Sequence, residues 1–140
     1  MTRSDWQQLA ARWLDDAKLL LDGNRWSAAY YVSGYAVECG LKACVLKRVA
    51  DEPQIIYADK KFSEKCWTHS IEDLVLLANL AETRDSDAKL NEELKGNWLI
   101  VKDWKETARY TMNSEQQARK LYNAITHRPN GVMIWIRDRW

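Results

Sequence analysis

With 140 residues the chain has the length of about one domain, and a single domain over residues 1–140 is expected. Its 21 Lys and Arg stand against 20 Asp and Glu, a balance that excludes a polybasic nucleic-acid binder whose affinity comes from bulk charge. At 46% hydrophobic residues the chain can build a core, and five Gly and two Pro are too few for a loop-rich sandwich.

Ser4 to Asp22 reads as the first helix. Ser4 and Gln7 have capping-box spacing, and Trp6, Leu9, Trp13, Ala17 and Leu20 recur every three or four residues as an apolar face. Gly23 is suited to a left-handed residue that stops it. The second helix, Arg25 to Ala50, contains no Pro and ends at Asp51-Glu52-Pro53. At about 1.5 Å per residue it spans about 39 Å. Ala29, Ser33, Ala36 and Gly40 give it a stripe of small residues, which lets a neighbouring helix approach closely within or between subunits. Tyr31, Tyr35, Glu38 and Lys42 form a second, polar-aromatic stripe, with Glu38 and Lys42 in the favourable i, i+4 order.

Residues 51–69 lack helical periodicity. Asp59-Lys60-Lys61 reads as a bend, and Ile55-Ile56-Tyr57 as a packed clip or a short strand. A third helix begins near Thr68 or Ser70 and carries Ile71, Leu74, Val75, Ala78 and Ala81. Asp85 to Lys95 reads as a short acidic helix stopped by Gly96-Asn97, and Trp98 to Tyr110 as a helix passing into a loop. Ser114 with Gln117 opens a helix through Ala118, Leu121, Tyr122 and Ile125. Pro129-Asn130-Gly131 is a turn before a last apolar segment, Val132 to Trp140. The expected fold is therefore an all-α, compact bundle of four or five helices with short extra helices.

No stretch resembles a signal peptide and none approaches the ~18 apolar residues of a membrane helix, so no membrane association and a cytoplasmic location are expected. GxGxxG, P-loop, HExxH and GxSxG motifs are missing, and no cofactor is expected. Cys66-x-x-His69 has the spacing of metal ligands, but Cys39 and Cys44 diverge by about 140° around one helix. They cannot easily converge on a tetrahedral ion, and no metal is expected. A nucleophilic Cys66–His69 pair lacks a third group in the sequence to orient it.

Ala29-Tyr30-Tyr31-Val32-Ser33-Gly34-Tyr35-Ala36-Val37-Glu38-Cys39-Gly40-Leu41-Lys42-Ala43 resembles the long central helix of HEPN domains (higher eukaryotes and prokaryotes nucleotide-binding). Further similar pieces follow the family's order: Asp16 to Leu20 and Gly23-x-Arg25-Trp26 before it, and Thr68 to Leu74 after it. Asn97-Trp98, Trp104, Arg109-Tyr110, Gly131 to Ile136 and Trp140 complete a resemblance that covers nearly the whole chain. It implies a helical bundle, a homodimer and association with a nucleotide or RNA. Many such proteins are metal-independent ribonucleases of toxin–antitoxin or defence systems, and others are partners of small nucleotidyltransferases. The ribonucleases carry an Arg four to six residues before a His, for phosphate charge and acid–base work respectively. This chain departs from that pattern. Seven residues separate Arg119 from His127, about 12 Å and about 80° along a continuous helix.

The sequence thus suggests binding of a nucleotide, RNA or a protein partner. The alternatives are a divergent ribonuclease using His69 or His127 with Arg109, Arg119 or Arg128, and an accessory subunit of a nucleotidyltransferase. Lys42, His69 and Arg109 are candidate anion contacts, with Glu38 on the same stripe as Lys42. Tyr31, Tyr35, Trp98, Trp104 and Tyr110 are candidate stacking or wall groups, although Trp and Tyr at helical spacing commonly serve the core. The net charge of +1 is also unevenly distributed: residues 70–96 carry net −4, residues 97–140 net +4 and residues 23–50 net +3. The long helix and the C-terminal third are expected to offer a basic face.

Overall fold

The computed structural model describes residues 1–140 as helices and turns without a strand. The helices are α1 (Arg3–Asp22), α2 (Trp26–Asp51), α3 (Ile55–Ala58), α4 (Phe62–Lys65), α5 (Ile71–Leu77), α6 (Ala81–Leu90), α7 (Glu92–Val101), α8 (Glu115–Thr126) and α9 (Val132–Arg137), with a 3-10 turn at Glu106–Tyr110. The all-α bundle expected from the sequence is the observed architecture. No helix is long and apolar enough to cross a membrane.

The first helix is capped two residues earlier than expected. Thr2 accepts from the Asp5 N–H and Asp5 accepts from the Thr2 N–H, closing a capping box that adds a charged carboxylate at the positive helix end. Gly23 keeps φ at −91°, whereas Asn24 takes the left-handed conformation at φ 58°. The N–H of Arg25 then reaches back to Leu20 O at 2.8 Å, so the stop is made by the asparagine rather than the glycine. The buried stripe of α1 is Ala10, Leu14, Ala17 and Leu21. Trp6, Leu9 and Trp13 flank it, half-buried.

α2 is the axis of the molecule. From Ser33 to Val45 nearly every side is covered, because α1, α5, α8, α9 and the 3-10 turn all pack on it. The small-residue stripe supplies close contacts inside one chain. Ala29, Ser33 and Ala36 are fully buried, and a Cβ added at Gly40 would lie 3.1 Å from Ile136 and 3.3 Å from Met133 on α9. A tighter approach occurs at Gly34, where an added Cβ would fall 2.3 Å from the ring of Trp104. Glycine is required there by space, since its backbone is ordinary helix.

Between Asp51 and His69 the chain forms two one-turn helices rather than a clip or strand. Asp59 N–H bonds Ile55 O, and Ile55 and Phe62 are the apolar anchors of this segment. Instead of one helix from Asp85 to Lys95, the chain makes two that meet at Asn91. Asn91 caps α7 by accepting from the Leu94 N–H, and its amide donates to Asn130 at 2.8 Å. α7 then runs through Gly96, where an added Cβ would meet nothing within 4 Å. A good N-cap with a tertiary anchor outweighs the breaking tendency of one exposed glycine. α8 starts on the expected box, Ser114 with Gln117.

Candidate functional site

The polar-aromatic stripe of α2 forms one wall of the site. Tyr31 and Tyr35, one turn apart, stack with centroids 6.0 Å apart, and Tyr31 also stacks on Trp104 at 6.0 Å. Trp13 of α1 meets Tyr35 edge-on at 5.7 Å. Trp104 is held because its ring fills the notch left by Gly34. Burial raises the Tyr35 phenol above its ordinary value, and negative neighbours including Glu38 and Glu106 add to the shift, so the group stays a neutral donor.

One turn further along lies Glu38, whose side chain is 0% exposed. Its Oε1 accepts from Lys42 Nζ at 2.8 Å and from the Nδ1–H of His69 at 2.9 Å. Its Oε2 is equally buried and receives no hydrogen bond. Lys42 lies 5.0 Å from the centroid of the Trp6 ring. A buried carboxylate is costly unless cations or donors compensate it, and here Lys42 and His69 do so through one oxygen.

His69 sits just before α5, on the turn where Ser70 caps that helix. Its side chain is 44% exposed, and Glu38 fixes the Nδ1 edge of the ring. With Nδ1–H committed, a neutral ring presents the Nε2 lone pair and a charged ring presents an N–H. Glu106 of the 3-10 turn faces that nitrogen, with Oε2 3.6 Å away. Its Oε1 pairs with Arg109 Nη2 at 3.0 Å. The Arg109 guanidinium lies 4.9 Å from the ring centroid of the exposed Tyr110.

The structure therefore gathers Tyr31, Tyr35, Glu38, Lys42, His69 and Arg109 and sets Tyr110 beside Arg109, while Trp104, 2% exposed, backs Tyr31 from within the core and is not an accessible stacking face. Trp98 is not part of this group. It is buried against Trp135 at 5.6 Å, with Arg84 5.3 Å from its ring, and serves the core. Glu106 joins the site although the sequence gives it no prominence. Its one local signal is the i, i+3 spacing to Arg109.

The remaining histidine lies elsewhere. His127 ends α8 with its Nε2 4.0 Å from Glu93, while Arg119 pairs with Glu115 and covers Trp26. Cys66 does not bond His69, whose Nδ1 is committed to Glu38, and burial pushes the Cys66 thiol up, opposite to what a nucleophile needs. No three His, Cys, Asp or Glu side chains converge in metal-binding geometry. Three of the eight cations of the C-terminal third are paired, Arg109 with Glu106, Arg119 with Glu115 and Arg139 with Asp87.

No protein-family model matches the chain, and neither a curated protein nor a solved structure matches it.

Proposed function

We propose that this chain is a HEPN-like helical protein that binds the phosphate-bearing part of a nucleotide or RNA around His69 and Arg109. The reading rests on the Glu38–His69 bond. A half-exposed histidine needs no buried carboxylate to keep the protein folded, and sinking a charge into the core is a poor way to gain stability. The same arrangement is an effective way to hold an imidazole in one tautomer and one orientation with its second nitrogen facing solvent. Arg109 supplies a planar fork suited to phosphate, and Tyr110 beside it offers a face on which a base stacks. Equilibrium dialysis against adenosine monophosphate and a short oligoribonucleotide tests this reading. Saturable binding that falls as salt rises is expected.

The same bond favours a second reading, metal-independent RNA cleavage. In it, His69 Nε2 takes the proton of a 2′-hydroxyl and the 2′-oxygen bonds to phosphorus. The P–O5′ bond breaks, leaving a 2′,3′-cyclic phosphate and a 5′-hydroxyl that receives a proton. Arg109 offsets the charge that gathers on the phosphate oxygens. Incubation of pure protein with RNA and detection of cyclic-phosphate ends distinguishes cleavage from binding alone. Loss of that product in His69→Ala, but not in His127→Ala, is the expected pattern. Ile56, Tyr57, Trp67 and Leu76 are exposed apolar residues on and around α3–α5, and they suit a protein partner or a second copy of the chain.

A further inference from the structure

Glu106 lies where an anionic ligand of this site would lie. One carboxylate oxygen is 3.0 Å from Arg109 Nη2 and the other is 3.6 Å from His69 Nε2, so one oxyanion bridges the two groups that face solvent. Lys42 cannot take that role, because its ammonium is committed to the buried Glu38. With a neutral imidazole, Glu38 and Glu106 cancel Lys42 and Arg109. Turning the Glu106 side chain outward leaves the cluster at net +1.

The backbone beneath Glu106 is firmly held. Trp104 is 2% exposed in the Gly34 notch and Ala108 is 7% exposed, so both sides of Glu106 are anchored in the core. Just beyond the turn, the Asn113 N–H donates to Ser27 Oγ at 2.8 Å. The Glu106 side chain, by contrast, is 28% exposed, and its contact to His69 is longer than a hydrogen bond. It can leave by a change of rotamer without unpacking the turn.

We infer that Glu106 is an internal stand-in for phosphate, filling the subsite between Arg109 and His69 Nε2 so that a phosphoryl group of a nucleotide or RNA binds by displacing its carboxylate. The inference rests on the phosphate-binding reading above, and it makes Glu106 the residue that sets the threshold affinity of the site. Arg109 and His69 then bind the phosphate, and Glu106 competes with it.

Isothermal calorimetry with inorganic phosphate at fixed ionic strength tests this on the wild type, Glu106→Gln, Glu106→Ala and the double variant Glu106→Gln/Arg109→Gln. Both Glu106 variants are expected to bind phosphate about fourfold more tightly or better. That is the order expected when a like charge is removed about 5 Å from an anion in water-like surroundings. The double variant is expected to lose the gain. Wild-type binding with no gain in either single variant overturns the inference and leaves the phosphate-binding reading standing. A gain that persists in the double variant places phosphate elsewhere and overturns it as well. Absence of phosphate binding in all four proteins overturns both. Circular dichroism and urea unfolding of each variant establish that the fold is retained.

Discussion

Glu38, 0% exposed in the middle of the central helix, accepts a hydrogen bond at 2.9 Å from the Nδ1–H of half-exposed His69, 31 residues further along the chain. The carboxylate thereby ties the interior to the surface and makes the outer nitrogen of the imidazole a fixed point. Replacing it should affect both stability and binding. Glu38→Gln keeps the volume but removes the charge that compensates Lys42, at a cost of about 1–3 kcal/mol. Glu38→Ala adds a cavity and should cost about 3 kcal/mol or more. Urea unfolding measures both. Glu38→Gln should also weaken nucleotide binding, because a neutral amide oxygen holds the His69 Nδ1–H less strongly than the carboxylate does.

The glycines should separate into three behaviours. Gly34→Ala places a methyl 2.3 Å from the Trp104 ring, and overpacking against a rigid indole should cost about 2–3 kcal/mol. It should also disturb the turn that carries Glu106 and Arg109. Gly40→Ala meets Ile136 at 3.1 Å and the flexible Met133 at 3.3 Å, so its cost should be smaller, while Gly40→Leu should cost about 1–3 kcal/mol. Gly96→Ala meets nothing within 4 Å on a helix and should stabilise by about 0.5–1 kcal/mol. Melting temperatures in the order Gly34→Ala, Gly40→Ala, wild type, Gly96→Ala, from lowest to highest, check the packing around α2.

The buried thiols predict how stability responds to alkali. Burial pushes Cys39 and Cys44 up to about 12 from an ordinary 9.0, with Glu38 adding to the effect at Cys39. Burial raises the phenols of Tyr30 and Tyr35 as well. Because these folded-state values are raised, the stabilisation is complete below about pH 9 and is lost as pH climbs from there toward about 12. Urea midpoints should therefore fall steadily above about pH 9, and less steeply in Cys39→Ala and Cys44→Ala. Thiol labelling of the native protein should reach half-buried Cys66 first, and Cys39 and Cys44 only on unfolding.

Asn91 holds two helix ends together, capping α7 and bonding Asn130 before α9. Asn91→Ala should cost about 1–2 kcal/mol by urea unfolding. Asn91→Ser, which keeps the cap and loses the reach to Asn130, should recover roughly half of that loss.

Which parts of the molecule could be read from the sequence follows from the range of the interactions involved. The stripe Tyr31, Tyr35, Glu38 and Lys42 is local, fixed by helical repeat, and it forms as expected. So does the Ser114–Gln117 cap. The first capping box turns on competition between adjacent local signals, Thr2 with Asp5 against Ser4 with Gln7, whereas the split at Asn91 is backed by a tertiary bond to Asn130. Trp98 and Trp104 illustrate the same limit. They are six residues apart and both are buried, yet one faces Trp135 and the other closes on Gly34 beneath Tyr31. Glu106 could not be found in advance, because its meeting with His69 depends on how the 3-10 turn packs across α2.

The chain has two histidines, and only His69 belongs to the site, so His127 serves as an internal control. Imidazole nitrogen resonances recorded while a short oligoribonucleotide is added test whether RNA docks at His69. Saturable shifts of the His69 resonances with His127 unmoved are expected, with at least a tenfold loss of affinity in His69→Ala and Arg109→Ala. Shifts confined to His127, or no shift at either histidine at saturating RNA, would contradict docking at His69.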